Sequence, residues 1–144
     1  TQLAEQRVRD SFAKQAFMRL LGAGLTHVAP GEVDSELPFR SDLVQQHGFV
    51  HAGVTTAIAD SACGYAALTL MPPEVAVLSV EYKVNLLAPA QGIRFVARGR
   101  VIRSGRTVTV CRGDVLAFDE SGDARSVLEM LGTMMAARGR GIVD

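Results

Sequence analysis

The spacing of hydrophobic residues changes along the chain and divides it into predicted helices and strands. Apolar side chains recur at helical spacing over residues 3–21, so we expect a first helix that ends at Gly22 and Gly24. Over residues 25–39 the pattern becomes extended, which predicts one strand. Its two faces alternate, with Val33, Ser35 and Leu37 on one side and Glu32, Asp34 and Glu36 on the other.

A second helix is predicted from residue 52 or 53 to about residue 70, before the Met71-Pro72-Pro73 stop. Apolar and small side chains cover every face of this segment, and a helix of that kind is buried on all sides. One carboxylate, Asp60, stands inside it.

Four extended segments follow, separated by short turns that contain glycine, proline or aspartate. They cover residues 75–87, 93–103, 107–118 and 124–136. Short turns between successive strands predict an antiparallel meander of all four. The order of elements predicts an α+β fold, with a curved antiparallel sheet wrapped around the long central helix, which is the hotdog arrangement. One sheet cannot enclose the helix, so we expect a second copy to cover it in a two-fold dimer.

Composition narrows the class of protein. The chain has 15 basic and 15 acidic residues, and this balance argues against nucleic acid as a partner. The acidic strand and the arginines from Arg94 to Arg112 are expected to form separate patches. No apolar run is long enough for a membrane span, and the first ten residues do not resemble a signal peptide. Cys63 and Cys111 are read as buried thiols in a reducing, cytoplasmic protein.

The start of the central helix is the first candidate for chemistry. His51, Ala52 and Gly53 lie there, and no Ser, Thr, Asp or Asn precedes Ala52 as a cap. Free N–H groups at Ala52 and Gly53 would polarise a carbonyl as an oxyanion hole. Alternatively, His51 or water caps the helix and nothing binds. His51 itself either orients the loop or donates to a substrate.

Asp60 is the second candidate, because a carboxylate in an apolar helix is costly unless it is paired or belongs to a site. Burial would make it a stronger base or nucleophile, whereas the alternative is a structural hydrogen bond. Ala52 and Asp60 are eight residues apart on one helix, about 12 Å along its axis. Two helices lying antiparallel across a two-fold axis would bring Ala52 of one copy to Asp60 of the other.

The stretch HAGVTTAIAD, followed by SVEYKVNLLAPA and RSGRTV, resembles the hotdog acyl-CoA thioesterases of the phenylacetate-degradation (PaaI) type. The resemblance covers nearly the whole chain after the first helix. It implies that Asp60 is the nucleophile or general base and that the Ala52 N–H holds the thioester carbonyl. It also implies that Gln45 helps to place water or substrate and that Ser79 assists.

One departure from the family concerns the substrate. The family usually has His-Gly-Gly where this chain has His51-Ala52-Gly53. A helical alanine N–H can still polarise a carbonyl, but its methyl group would narrow the pocket. Arg103 and Arg106 flank the predicted turn at Ser104-Gly105 and are either coenzyme A phosphate ligands or solvated charges.

Other hydrolytic and metal sites lack their motifs. There is no G-x-S-x-G elbow, and His27, His47 and His51 lack metal-ligand spacing. We therefore expect one domain over residues 1–144 that hydrolyses acyl-CoA thioesters with neither a metal nor a cofactor, coenzyme A being part of the substrate. The alternatives are a non-catalytic acyl-CoA-binding or sensing domain and a hydratase. The expected assembly is a homodimer with shared sites, with a dimer of dimers left open.

Overall fold

The N-terminal region forms two helices where the sequence predicts one. The computed structural model describes residues 2–144, with α1 at Gln2–Ala13 and α2 at Ala16–Leu21. The break follows a tightening of the last turn of α1, where the Lys14 N–H donates to the Ser11 carbonyl at 3.0 Å. Gly22, in the left-handed region at φ 82°, ends α2 as expected.

The segment predicted as one strand is a β-hairpin, so that prediction is wrong. Its strands are β1 (Gly24–Ala29) and β2 (Glu32–Pro38), joined at Pro30 and Gly31. Gly31 adopts φ 74°, which a tight turn requires and most side chains resist. The alternation within β2 is confirmed, because Val33, Ser35 and Leu37 are buried and point toward the core. A short 3₁₀ turn, Ser41–Leu43, follows β2.

The four later strands are present, but they do not form one meander. They are β3 (Ala76–Leu86), β4 (Arg94–Ser104), β5 (Val108–Phe118) and β6 (Ala124–Ala137). The antiparallel sheet runs in the order β1-β2-β4-β5-β6-β3, so β3 pairs with β6 at one edge and β4 pairs with β2. The connection after β3 crosses the end of the sheet. The backbone of this connection forms hydrogen bonds with the backbone of Val127 at 2.9 Å, of Val50 at 3.0 Å and of Phe39 at 2.9 Å.

The central helix, α3 (Ala52–Leu68), packs against the concave side of this sheet. Its second half is buried, and the sheet backbone touches it directly at Gly99. A Cβ at Gly99 would overlap the carbonyl oxygen of Ala62, so only glycine permits this approach. The first half of α3 is less covered, and Gly53 is exposed while Asp60 is half-buried. The sheet of one chain thus covers the helix only partly.

The acidic and basic residues on the outer sheet face are paired, so the expected separate patches do not exist. Because β2 lies beside β4, Arg100 donates to Asp34 at 2.6 Å. Across the next strand pair, Arg98 makes a bidentate contact with Asp114 at 2.8 and 2.6 Å. The two carboxylates are less than one-fifth exposed and one contact is bidentate, so these pairs hold the adjacent strands together more strongly than fully exposed ion pairs would. Acidic and basic side chains therefore alternate where β2, β4 and β5 adjoin.

Both cysteines are free and buried, as predicted. The Cys111 thiol lies 3.5 Å from the Cys63 carbonyl oxygen, and burial raises the pKa of Cys111 to about 12. Neither thiol therefore ionises near neutral pH. Over residues 2–144, no helix is long and apolar enough to cross a membrane.

Candidate active site

The His51 side chain caps the start of α3, which is one of the alternatives that the sequence allows. His51 is the N-cap residue, at φ −59° and ψ 137°, and its Nδ1 accepts a hydrogen bond from the Gly53 N–H at 2.8 Å. Because Nδ1 is the acceptor, a neutral His51 carries its proton on Nε2. The Ala52 N–H has no hydrogen-bond acceptor among residues 2–144. The cap therefore engages the Gly53 N–H and leaves the Ala52 N–H as the free donor.

Gln45 organises the loop that leads into this helix. Its side-chain oxygen accepts from the His47 N–H at 2.6 Å and from the Phe49 N–H at 3.2 Å. These bonds fix the orientation of the amide group, and its nitrogen has no partner in the described part of the chain. Gln45 thus presents free N–H donors beside the start of α3.

Gln45 and Ala52 line the same open cavity, of about 500 Å³, which we call the Ala52 cavity. Its other walls are mostly apolar and come from the start of α3, the end of β3 and the connection that follows it. They are Phe49, Val50, Thr55, Leu86, Leu87, Ala88, Pro89, Ala90 and Val127. This combination of a few polar donors with an apolar lining is typical of a small-molecule site.

Asp60 lies elsewhere and has a partner. The Ser79 hydroxyl donates to Asp60 Oδ1 at 2.6 Å, which connects α3 to the edge strand β3. Asp60 is half-buried and Ser79 is exposed, so a substrate could reach the pair from solvent. Both residues line a smaller cleft of about 180 Å³ between α3 and β3, which we call the Asp60 cleft.

Within one chain, the structure keeps these predicted site residues in two separate groups. Gln45 and Ala52 line one cavity, Asp60 and Ser79 line the other, and no residue lines both. The separation agrees with the axial distance of about 12 Å expected along the helix.

Arg103 and Arg106 belong to neither group. They lie where β4 turns into β5, and neither lines the Ala52 cavity or the Asp60 cleft. Within residues 2–144 neither guanidinium has a hydrogen bond or ion pair, although the Arg106 carbonyl accepts from Arg138 at 3.0 Å. Both charges therefore face solvent and remain available to an anion.

Three of the cleft residues that were not anticipated from the sequence take part in a hydrogen-bond network. Gln15, Tyr65 and Asp144 line the Asp60 cleft, and Gln15 Nε2 donates to the Tyr65 hydroxyl at 2.8 Å. Tyr65 stands five positions after Asp60, so a polar tip in an alanine-rich helix was a visible signal. Gln15 and Asp144 carried no such signal, because they lie far from Asp60 in the sequence and only the fold brings them to the cleft. Burial raises the pKa of Tyr65, which keeps its hydroxyl protonated.

The fold and site together define a hotdog protein with a candidate hydrolytic centre. Residues 47–123 match the Thioesterase superfamily. A Halobacterium salinarum protein named as a candidate esterase is 30% identical over 112 residues, which cover 74% of each chain. A thioesterase family protein from Silicibacter pomeroyi has a crystal structure with a TM-score of 0.92 and 48% identity, covering 94% of this chain and 99% of that one.

The PaaI protein of the E. coli phenylacetic acid degradation operon has the same fold, at a TM-score of 0.83 with 18% identity over 94% of each chain. The chain belongs to the thioesterase superfamily. The predicted hotdog fold and the resemblance to PaaI-type thioesterases are confirmed. The roles of individual site residues remain predictions.

Proposed function

We propose that this protein hydrolyses acyl-CoA thioesters at two sites that form between two copies of the chain. The observation that carries the proposal is the division of the site: a free Ala52 N–H with Gln45 in one cavity, and Asp60 with Ser79 in another. Oxyanion stabilisation and nucleophilic attack must act on one carbonyl, so a single chain cannot supply both.

The edge strand β3 offers a way to join the halves. It carries Ser79 near its start and Leu86, a wall of the Ala52 cavity, at its end. Its outer edge is unpaired within residues 2–144, and Val80 and Tyr82 on it are 56% and 44% exposed. A long apolar edge of this kind favours pairing with another strand. An antiparallel pair of β3 strands centred between Tyr82 and Lys83 places Ser79 of one copy opposite Leu86 of the other.

In that arrangement the Asp60 cleft of one copy meets the Ala52 cavity of the other. The thioester carbonyl accepts the Ala52 N–H, and Gln45 donates to the substrate or to the attacking water. These donors stabilise the negative charge that develops on the carbonyl oxygen. The Ser79 hydroxyl holds the Asp60 carboxylate in a fixed orientation.

Two routes for Asp60 are consistent with this geometry. As a general base it takes a proton from water while the hydroxide adds to the carbonyl carbon; the C–S bond then breaks, and Asp60 returns the proton to the leaving sulfur, which departs as the coenzyme A thiol. As a nucleophile it displaces coenzyme A to form a mixed anhydride, which water then hydrolyses. Both routes consume one water and yield a free acid, and neither calls on a metal or redox cofactor. Arg103 and Arg106 are candidates to bind the coenzyme A phosphates.

The test offers purified protein a panel of aliphatic and aromatic acyl-CoAs while free thiol is measured. We expect thiol release by the wild type and a loss of about 10²–10⁴-fold in kcat for Asp60→Asn, which keeps the shape of the side chain but removes its charge. Asp10→Asn is the matched control, because Asp10 also lies on a helix but bonds only to the exposed Gln6. Its activity should equal that of the wild type.

Other outcomes point to the alternatives. Tight acyl-CoA binding with no thiol release from any substrate would indicate a non-catalytic binding domain. Addition of water to an unsaturated acyl-CoA without thiol release would indicate a hydratase. Full activity of Asp60→Asn would remove Asp60 from the mechanism.

A further inference from the structure

Gly64 occupies an unusual position in the Asp60 cleft. It lies four residues after Asp60 on α3, so both residues face the same side of the helix, and both line the cleft. Gly64 is buried, yet a Cβ built on it would meet no atom within 4 Å apart from its chain neighbours and the local helix backbone. Open space therefore adjoins a buried glycine beside the candidate catalytic carboxylate.

Nothing in the backbone requires glycine at this position. Gly64 is not among the glycines with positive φ, and it lies inside a regular helix, where glycine is less favourable than alanine. Gly99 shows the contrast, because a Cβ there would overlap the Ala62 carbonyl. What Gly64 does provide is volume in the cleft.

Polar side chains that line the cleft are held in place by hydrogen bonds to one another and to Ser11. Ser11 Oγ donates to Asp144 Oδ1 at 3.0 Å, so its single proton is used there. The Tyr65 hydroxyl, 3.1 Å from Ser11, must then donate to Ser11, while Gln15 donates to Tyr65 at 2.8 Å. Each hydrogen bond in this series therefore has a defined donor and a defined acceptor. The side-chain oxygen of Gln15 has no partner among residues 2–144 and remains a free acceptor.

The charge and size of the cleft indicate which arm of a thioester enters it. No basic residue lines the cleft, and the Asp144 carboxylate does, so the anionic coenzyme A arm is disfavoured there. The volume of about 180 Å³ is small. A buried cavity of about 150 Å³ accommodates benzene, so a short acyl group or one ring fits and a long chain does not.

We propose that Gly64 determines acyl specificity: it keeps open the space that receives the far end of a short acyl group, with Gln15 as a hydrogen-bond acceptor for a polar end. This inference rests on the proposed thioesterase function. It makes Gly64 a residue that limits the length of the acyl group and has no part in bond breaking.

The test compares Gly64→Ala and Gly64→Leu with the wild type on straight-chain acyl-CoAs of increasing length. We expect kcat/KM for the shortest substrate to stay within about twofold in Gly64→Ala, and to fall by about tenfold or more for the longest substrate that the wild type accepts. Gly64→Leu should shorten the accepted range further. Gly64→Ala should also raise Tm by about 2–4 °C, because alanine favours the helix.

Gly24→Ala is the matched control, since Gly24 also has open space at its Cβ and lacks a positive φ but lies on β1, away from the cleft. Its length profile should match the wild type. Terminal hydroxyl groups supply the second readout. The wild type should prefer a hydroxyl-ended acyl group over the methyl-ended one of equal length, and Gln15→Met should abolish that preference.

The outcomes separate the two proposals. A wild type that releases no thiol from any acyl-CoA would overturn the thioesterase function, and this inference with it. An active wild type whose length profile is unchanged in Gly64→Ala and Gly64→Leu would overturn the inference alone. Loss of dimers in Gly64→Ala, measured by analytical ultracentrifugation, would also overturn it, because the space would then belong to a subunit contact.

Discussion

The two halves of the candidate site, one around Ala52 and the other around Asp60, use different chemical groups. The Ala52 half depends on a backbone N–H at a helix start, positioned by the His51 cap and the Gln45 loop. The Asp60 half depends on two side chains, a carboxylate on α3 and a hydroxyl on β3, joined by one 2.6 Å bond. A backbone donor survives almost any substitution at its own position, whereas a side-chain pair is lost with either member.

This difference bears on the departure at His51-Ala52-Gly53, where the PaaI-type resemblance implies His-Gly-Gly. Ala52 replaces the usual glycine without removing its N–H, so only the shape of the cavity changes. Asp60 has no such freedom, because only glutamate would keep a carboxylate, and its longer side chain would move that group from its position beside Ser79. Proline is therefore the substitution at Ala52 that tests the backbone N–H, because proline lacks that group.

Ala52→Pro should produce the largest effect in the backbone half, a loss of about 10²–10³-fold in kcat, since it removes one oxyanion donor. The fold should tolerate it, because proline is favoured at the first position of a helix and the Ala52 N–H has no acceptor to lose. The preceding His51, at φ −59° and ψ 137°, already has the conformation that precedes proline. Activity assays with thermal melts check both expectations.

Ala52→Gly is the control for Ala52→Pro, because it keeps the N–H and restores the residue of the family pattern. It should keep kcat for small acyl groups. If Ala52→Pro is folded and fully active, the backbone half does not stabilise the carbonyl.

Mixing the Asp60→Asn and Ala52→Pro variants should restore activity, because each proposed site combines Asp60 of one chain with Ala52 of the other. In a dimer of Asp60→Asn with Ala52→Pro, one site carries both defects and the other carries neither. Random exchange at equal concentrations should give roughly a quarter of wild-type activity, since half of the dimers are mixed and each has one intact site. The measurement is thiol release after the two inactive variants are unfolded and refolded together.

Refolding each variant alone is the control, and it should recover nothing. Mixed samples that form dimers but stay inactive would mean that both halves act within one chain.

The central helix and the strand pattern could be predicted because their signals are local. An apolar segment ending at Met71-Pro72-Pro73 fixed α3 to within about two residues at its C-terminal end. Alternation placed β4, and the short turns between the segments placed β5 and β6. The hairpin of β1 and β2 was missed although Pro30-Gly31 is a local turn signal, because the residues on both sides of it are extended and resemble one continuous strand. The pairing of β3 with β6 depends on contacts between distant segments, which no window of sequence contains.

The site shows the same limit. Asp60 and Ala52 could be singled out from the sequence because each is unusual in α3, one as a carboxylate among apolar residues and the other as a helix start with no preceding Ser, Thr, Asp or Asn. The cap formed by His51 was left open, since histidine at a helix start has several roles. The directed hydrogen bonds from Gln15 through Tyr65 to Asp144 join residues more than 100 positions apart, so only the folded chain shows them.

Ser79→Ala should produce the smallest of these losses and so measures how far the side-chain half depends on its second member. The variant removes one hydrogen bond to a charged group, a contribution of about 1.5–3 kcal/mol, which corresponds to roughly a ten- to hundredfold loss in kcat. Stability should fall only slightly, because Ser79 is exposed on the edge strand and water can replace its hydrogen bond to Asp60. Ser126→Ala, at an exposed serine on β6, is the control and should match the wild type. A kcat for Ser79→Ala equal to that of the control would show that Asp60 is oriented without Ser79, and the side-chain half would then reduce to one residue.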